Sequence, residues 1–157
     1  QYDGRSTNLC HRLNEKEIEQ VITDELTTNE NYKKELMNEA TENRNKTQDD
    51  YICSVCNSSI CIAQNGNVFP CAGWQNYILG NLSNNSLADI WYHSKKVQYL
   101  RNLKRKDFKK CNNCQQRDYC TICMVRNFNE SPTKDPLYIR KYFCKVAEIK
   151  KRLAEKE

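Results

Sequence analysis

Over the first fifty residues the apolar side chains recur at helical spacing and the polar ones fill the gaps. Asn14 reads as an N-cap with Glu17 as its capping-box partner. Ile18, Val21, Ile22 and Leu26 follow at intervals of three and four, which predicts an amphipathic helix over 15–26. A weaker pattern of the same period, with Tyr32, Leu36 and Ala40 on one side, predicts a second helix from Asn29 to Arg44. Residues 1–13 show no clear period. The wholly polar run from Glu42 to Asp50 reads as a linker, so a domain boundary is expected near residue 50.

Beyond it the pattern changes. Two short apolar stretches, Ser59–Ala63 and Val68–Pro70, flank Gln64, Asn65, Gly66 and Asn67. Asn-Gly between apolar runs predicts a hairpin whose two central residues both take positive φ. Tyr77–Leu82 offers a further short strand. Ser86 and Asp89 form the next capping box, opening a helix expected to bury Leu87, Ile90 and Trp91. Ser94 caps a continuation with Val97, Leu100 and Leu103 inside. Asp135 and Pro136 suit an N-cap and first helical position, which predicts a last helix over about 137–155 carrying Cys144, with Val146, Ile149 and Leu153 on one face. The expected class is α+β, a small hairpin with helices wrapped around metal centres and a helical segment ahead of it.

Composition explains why metal enters. With 157 residues and 38% hydrophobic content, one domain with a small apolar core is expected, and such cores are usually stapled. Ten cysteines are available. Their pairing as Cys-x2-Cys favours a metal site in a reducing, cytoplasmic setting over a secreted disulfide scaffold. No apolar stretch is long enough to span a bilayer, so no membrane partner is expected. The start at Gln1, Tyr2, Asp3, Gly4 and Arg5 has no leader-like apolar region and no Met, as for an internal cut in a longer protein. Net charge is +5, with a basic run at Lys95, Lys96, Arg101, Lys104, Arg105, Lys106, Lys109 and Lys110. It reads as a solvated helix face in preference to a grip on phosphates or an acidic peptide.

The densest chemistry is Cys111, Cys114, Cys120 and Cys123, at spacings of two, five and two. Thiolates are soft ligands suited to zinc, cuprous copper or iron–sulfur iron. Cys53, Cys56, Cys61 and Cys71 precede this cluster, with Gly66 letting the chain return Cys71 towards the earlier thiols; Cys144 follows it. Cys10 stands apart and reads as a small buried side chain. Neither His11 nor His93 has a zinc-finger spacing, and His93 reads as a helix-surface residue. A zinc ribbon from Cys53, Cys56, Cys111 and Cys114 would leave five thiols unexplained. Nine thiols after residue 50 suit two four-thiolate sites with one to spare, either two 4Fe-4S clusters or two zinc ions. Spacing alone does not separate these.

The order Cys53-x12-Gly66-x4-Cys71, a gap, Cys111-x2-Cys114-x5-Cys120-x2-Cys123, a gap and Cys144 resembles the SPASM domain, the auxiliary-cluster domain of radical S-adenosylmethionine enzymes that modify peptides and proteins. The segments Ile62–Cys71, Leu79–Leu82 and Ser86–Trp91 carry the likeness between the cysteines, over about residues 51–150. It departs in its last spacing, two residues in place of three, and in surplus thiols, since Cys56 also satisfies the first position and Cys61 offers a further ligand.

The resemblance implies two 4Fe-4S clusters: a first on Cys53 or Cys56 with Cys61, Cys71 and Cys123, and a second on Cys111, Cys114, Cys120 and Cys144. The Cys-x3-Cys-x2-Cys that binds the S-adenosylmethionine-cleaving cluster is absent from this sequence. Residues 1–50 are therefore expected to be a bridge from a radical S-adenosylmethionine barrel elsewhere in the parent chain, and 51–157 the SPASM domain, not catalytic alone. The implied partners are that barrel and a peptide or protein substrate. Ala72 stands where the sulfatase-maturing branch has Asp, which favours ribosomal-peptide crosslinking. A rival reading from a different class is a non-enzymatic zinc module binding nucleic acid through the 95–110 basic run.

Overall fold

A computed structural model describes residue 5 and residues 7–156; the start at Gln1, Tyr2, Asp3 and Gly4 lies outside the described residues. Helix α1 (Glu15–Thr28) begins with the predicted capping box: Asn14 accepts from the Lys16 and Glu17 amides, and Glu17 accepts from the Asn14 amide. It runs two residues further than the apolar pattern, through a turn where Thr27 and Thr28 donate to backbone carbonyls. Ile18 and Ile22 are buried, whereas Val21 is 49% exposed. Helix α2 (Glu30–Asn45) is capped by Asn29 and buries Leu36, Ala40 and Asn43.

The hairpin joins β1 (Cys61–Ile62) to β2 (Asn67–Phe69), and β3 (Gly80–Asn81) extends the sheet in the order β1-β2-β3. Both pairings are antiparallel, with Ile62 opposite Val68 and Val68 opposite Gly80. The turn differs from expectation. Only Gly66 takes positive φ, at 80°. The Gly66 amide donates to Ala63 O, while Asn65 uses its side chain to accept from the Asn67 amide. This is a three-residue loop with glycine in the left-handed position, a geometry that spares Asn65 the strain.

Helix α3 (Leu87–His93) starts at Ser86, whose hydroxyl accepts from the Asp89 amide. It buries Ile90 alone; Leu87 is 43% exposed. Helix α4 (Lys95–Asn102) turns Val97 and Leu100 inwards, and Leu103 beyond its end is buried too. Ser94 stands at its N-cap without a capping bond and donates instead to Leu79 O. Helix α5 (Met124–Glu130) has no counterpart among the elements expected from the sequence. Helix α6 (Lys141–Ala154) begins four residues later than predicted, because Asp135 caps one isolated turn through the Leu137 amide and the helix takes Arg140 as N-cap.

The fold is thus α+β, and its main core joins Val55, Val68, Trp74, Leu79, Val97, Leu100, Phe108 and Met124. Trp74, Tyr77 and Phe128 meet as a ring triangle with centroids 4.9–5.3 Å apart. Two smaller cores bind the N-terminal helices to the rest: Ile18 and Ile22 of α1 against Ile149 of α6, and Leu36 and Ala40 of α2 against Tyr119 and Ala154.

Strand β3 rests directly on α3. A Cβ on Gly80 would meet Ile90 Cδ1 at 2.7 Å and Cγ1 at 2.8 Å, and Ile90 is buried and β-branched. At Gly73 the nearest atoms stand at 3.8 and 4.0 Å. Gly80→Ala is therefore expected to destabilise by about 1–3 kcal/mol through overpacking, and Gly73→Ala to be close to neutral. Denaturant melts of both variants check this; equal midpoints would contradict the close packing.

Candidate metal centres

Cys53 precedes and Cys56 lies within a tight loop in which the Asn57, Ser58 and Ser59 amides all donate to Ser54 O and the Cys56 amide donates to Ser59 O. The loop holds Cys56 at φ 57°, a left-handed conformation unusual for a residue with a side chain. Cys56 is wholly buried. Arg101 fixes the loop from α4, its Nε donating to Cys56 O at 2.7 Å. Cys61 lies on β1 opposite Phe69, and Cys71 follows β2 by two residues, entering a turn closed by the Trp74 amide on Cys71 O. Cys123 is the N-cap residue of α5.

The other thiols sit on a winding segment. Single 3-10 turns at Lys109–Cys111 and Arg117–Tyr119 alternate with bonds from the Cys114 amide to Cys111 O and the Arg117 amide to Cys114 O. Helix α2 clamps this segment. Asn43 donates to Asp118 O, Arg44 pairs with the Asp118 carboxylate at 2.9 Å, Arg117 donates to Arg44 O and Lys46 O, and Thr121 donates to Glu39. Cys111, Cys114, Cys120, Cys123 and Cys144 line a cavity of about 320 Å³, rimmed by Lys110, Arg117, Arg126, Arg140 and Lys141.

The electrostatic neighbours of the thiols divide in two. The Cys53 thiol is pushed up by burial and then by Cys123, although the residue as a whole is exposed. Cys71 is pushed up by burial and then by Cys123, Cys53 and Cys61. Cys56 rises to about 11, by burial first and then Cys53 and Cys71, against the pull of Arg101. In the second group, Cys111 also rises to about 11, by burial and then by Cys120, Cys114 and Cys144. Cys120 is raised by burial, Cys144 and Cys114, and Cys144 by burial and Cys114. For each of these thiols the neighbouring thiols named belong to its own group. Cys123, next to Cys120 in the winding segment, acts on Cys53 and Cys71.

All ten cysteines are free. Among the described residues no three cysteine, histidine or acidic side chains converge closely enough to hold one metal ion. A tetrahedral zinc needs its sulfurs about 2.3 Å from a single point. A four-iron cluster takes thiolates at several irons and so suits thiols spread around a cavity. The donor set is soft throughout, and the second group encloses space, so the residues fit such a group.

Cys10 is exposed, its Sγ donating to Thr7 O, in correction of the buried reading; no residue of the short turn Thr7–His11 is buried. His11 and His93 are exposed. The basic run also departs from a uniform solvated face. Arg105 is only 7% exposed, with its pKa lowered chiefly by desolvation and then by Arg117. No pattern of charges in the sequence distinguishes it from its neighbours. Among the described residues no helix is long and apolar enough to cross a membrane.

Compared with protein-family models, residues 53–115 match the SPASM iron–sulfur cluster-binding domain. The matched span takes in Cys53 through Cys114 and stops short of Cys120, Cys123 and Cys144. No curated protein and no solved structure matches the chain.

The raised thiols give a pH test. Free Cys56 and Cys111 keep their protons to about pH 11 in the folded chain, whereas an ordinary thiol loses its own near 9.0. Between those values the unfolded chain binds fewer protons, so stability of the metal-free protein should fall as pH rises through this window, and these two thiols should add no slope below it. Thermal melts in reductant across the window, with Cys56→Ala and Cys111→Ala as the variants that flatten the slope, measure it.

Proposed function

We propose, from the premise that residues 53–115 carry a SPASM iron–sulfur cluster-binding domain, that this chain is the auxiliary-cluster part of a radical S-adenosylmethionine enzyme modifying a peptide or protein. The observation that carries the reading is the gathering of nine thiols into two groups with Cys123 crossing from one to the other. In this reading Cys111, Cys114, Cys120 and Cys144 hold one 4Fe-4S cluster. Cys61, Cys71 and Cys123, with Cys53 or Cys56, hold the other. Bound clusters of this kind supply one-electron transfer. The crossing of Cys123 ties the hairpin to the winding segment, so loading and folding are one event.

The protein's own part is positional. The left-handed loop at Cys56, the turn at Gly66 and the clamp of α2 on residues 117–121 fix where the thiols stand. Lys110, Arg126 and Lys150 lie where they favour thiolate at Cys144 and Cys120. Helices α1 and α2 form the bridge to a barrel that binds S-adenosylmethionine. A ribosomally made peptide acquiring a crosslink is the substrate class favoured by Ala72. Free thiols throughout suit a cytoplasmic location.

Anaerobic reconstitution should load about eight irons with matching sulfide per chain. Stoichiometric zinc without labile sulfide would favour the zinc module and overturn this reading. With reductant and S-adenosylmethionine the chain alone should form no 5′-deoxyadenosine. Cys144→Ser should lose or distort the second cluster and leave the first loaded; iron content and cluster spectrum identical to wild type would mean that Cys144 is no ligand.

A further inference from the structure

The basic run between Lys95 and Lys110 divides by direction. Lys96 donates to Ile78 O at 2.7 Å, and Lys106 pairs with Asp49 on the surface at 2.7 Å. Arg101 reaches inwards but is engaged there, with Nε donating to Cys56 O, Nη2 to Trp91 O at 2.9 Å, and its plane over the Trp91 ring at 4.6 Å. Arg105 alone in this run combines depth with an unused donor. It is 7% exposed, and its Nη2 is buried without a hydrogen-bond partner among the described residues.

Its surroundings do not supply the missing anion. The charges acting on it are Arg117, of the same sign, then Asp50, and the sulfurs of Cys120 and Cys111. Asp50 Oδ2 is engaged by the Thr47 amide at 2.6 Å. The backbone that carries Arg105 is also fixed on both sides. The Arg105 amide donates to Asp50 O, the Lys106 amide to Gln48 O, and the Phe108 amide to Arg105 O, with Phe108 at 1% exposure. A buried cation with an idle N–H beside a second cation is costly unless an anion completes it. Neutral thiols do not; four thiolates around an iron–sulfur core do.

We propose that Arg105 is the buried counter-charge of the second thiol group, its idle Nη2–H donating to sulfur of the cluster held by Cys111, Cys114, Cys120 and Cys144. The inference rests on the reading that those four thiols bind a cluster. A cation and a hydrogen-bond donor at sulfur favour the more negative, reduced state, so Arg105 raises the reduction potential of that cluster above what the thiolates alone would set. It is a positioning residue, and the inward course of Arg105 is the opposite of what a nucleic-acid surface asks of it.

The test uses anaerobically reconstituted wild-type chain, Arg105→Lys, Arg105→Met and, as surface control, Lys106→Met. Iron and sulfide are counted and each cluster is titrated with reductant under electron paramagnetic resonance. Arg105→Lys should keep both clusters, move only the second to a more negative midpoint and leave the first unchanged, which also reports that the chain is folded. Arg105→Met should lose about half of the roughly eight irons, and Lys106→Met should match wild type. Iron counts and both midpoints unchanged in the two Arg105 variants would overturn the proposal, as would equal shifts of both clusters in Arg105→Lys. Zinc without sulfide in the wild type would instead sink the cluster reading itself, and this inference with it.

Discussion

Val68, Trp74, Val97 and Leu100 are wholly buried and Phe108 nearly so, and both groups of thiols hang from the elements that carry them. Cys71 follows β2, Cys56 is held from α4, and Cys111 follows Phe108 by three residues. In a chain with so little apolar content, this one packed layer carries both thiol groups. Its aromatic members contribute most, since each buries far more area than an aliphatic residue. The sheet adds little area, and its use is to return Cys71 towards Cys61.

Around this layer the electrostatics are unusual. Crowded, half-buried thiols hold on to their protons, and cations collect near both groups: Arg101 beside the first, and Lys110, Arg105, Arg117 and Arg126 beside the second. Protonated thiols offer those cations no negative charge. Replacing the protons by metal turns the same arrangement into matched charge, which couples ligand binding to folding in the sense known for small metal-held domains.

Local signals are legible in this sequence and long-range ones are not. The capping box at Asn14, the inward face of α4 and the hairpin position follow from residues within four of each other. The turn at Asn65 departs from the type that Asn-Gly predicts because its side chain accepts from the Asn67 amide and removes any need for positive φ. Asp135 announced a helix and closed only one turn, the helix starting at Lys141. Helix α5 had no stop or start signal that the cysteine run did not mask. The inward course of Arg101 and Arg105 was illegible, since what draws them in is assembled from segments far apart in sequence. The order of the cysteines carries the likeness to the SPASM domain, and the match over residues 53–115 finds the same family.

The clamp of α2 on the winding segment gives the polar stretch between them a second meaning. Read as composition, residues 42–50 are a linker; in three dimensions Asn43, Arg44 and Lys46 are fastened to Asp118 and Arg117, and Gln48 and Asp50 accept from Lys106 and Arg105. A boundary drawn there would separate surfaces that bury Tyr119, Ile149 and Ala154 against α1 and α2. Cleaving the chain at residue 50 would keep nine thiols and bare those three apolar residues to water, leaving a fragment prone to self-association. The same fastening gives α2 a mechanical role: a pull or rotation applied to it from outside is delivered at Asp118, two residues from Cys120.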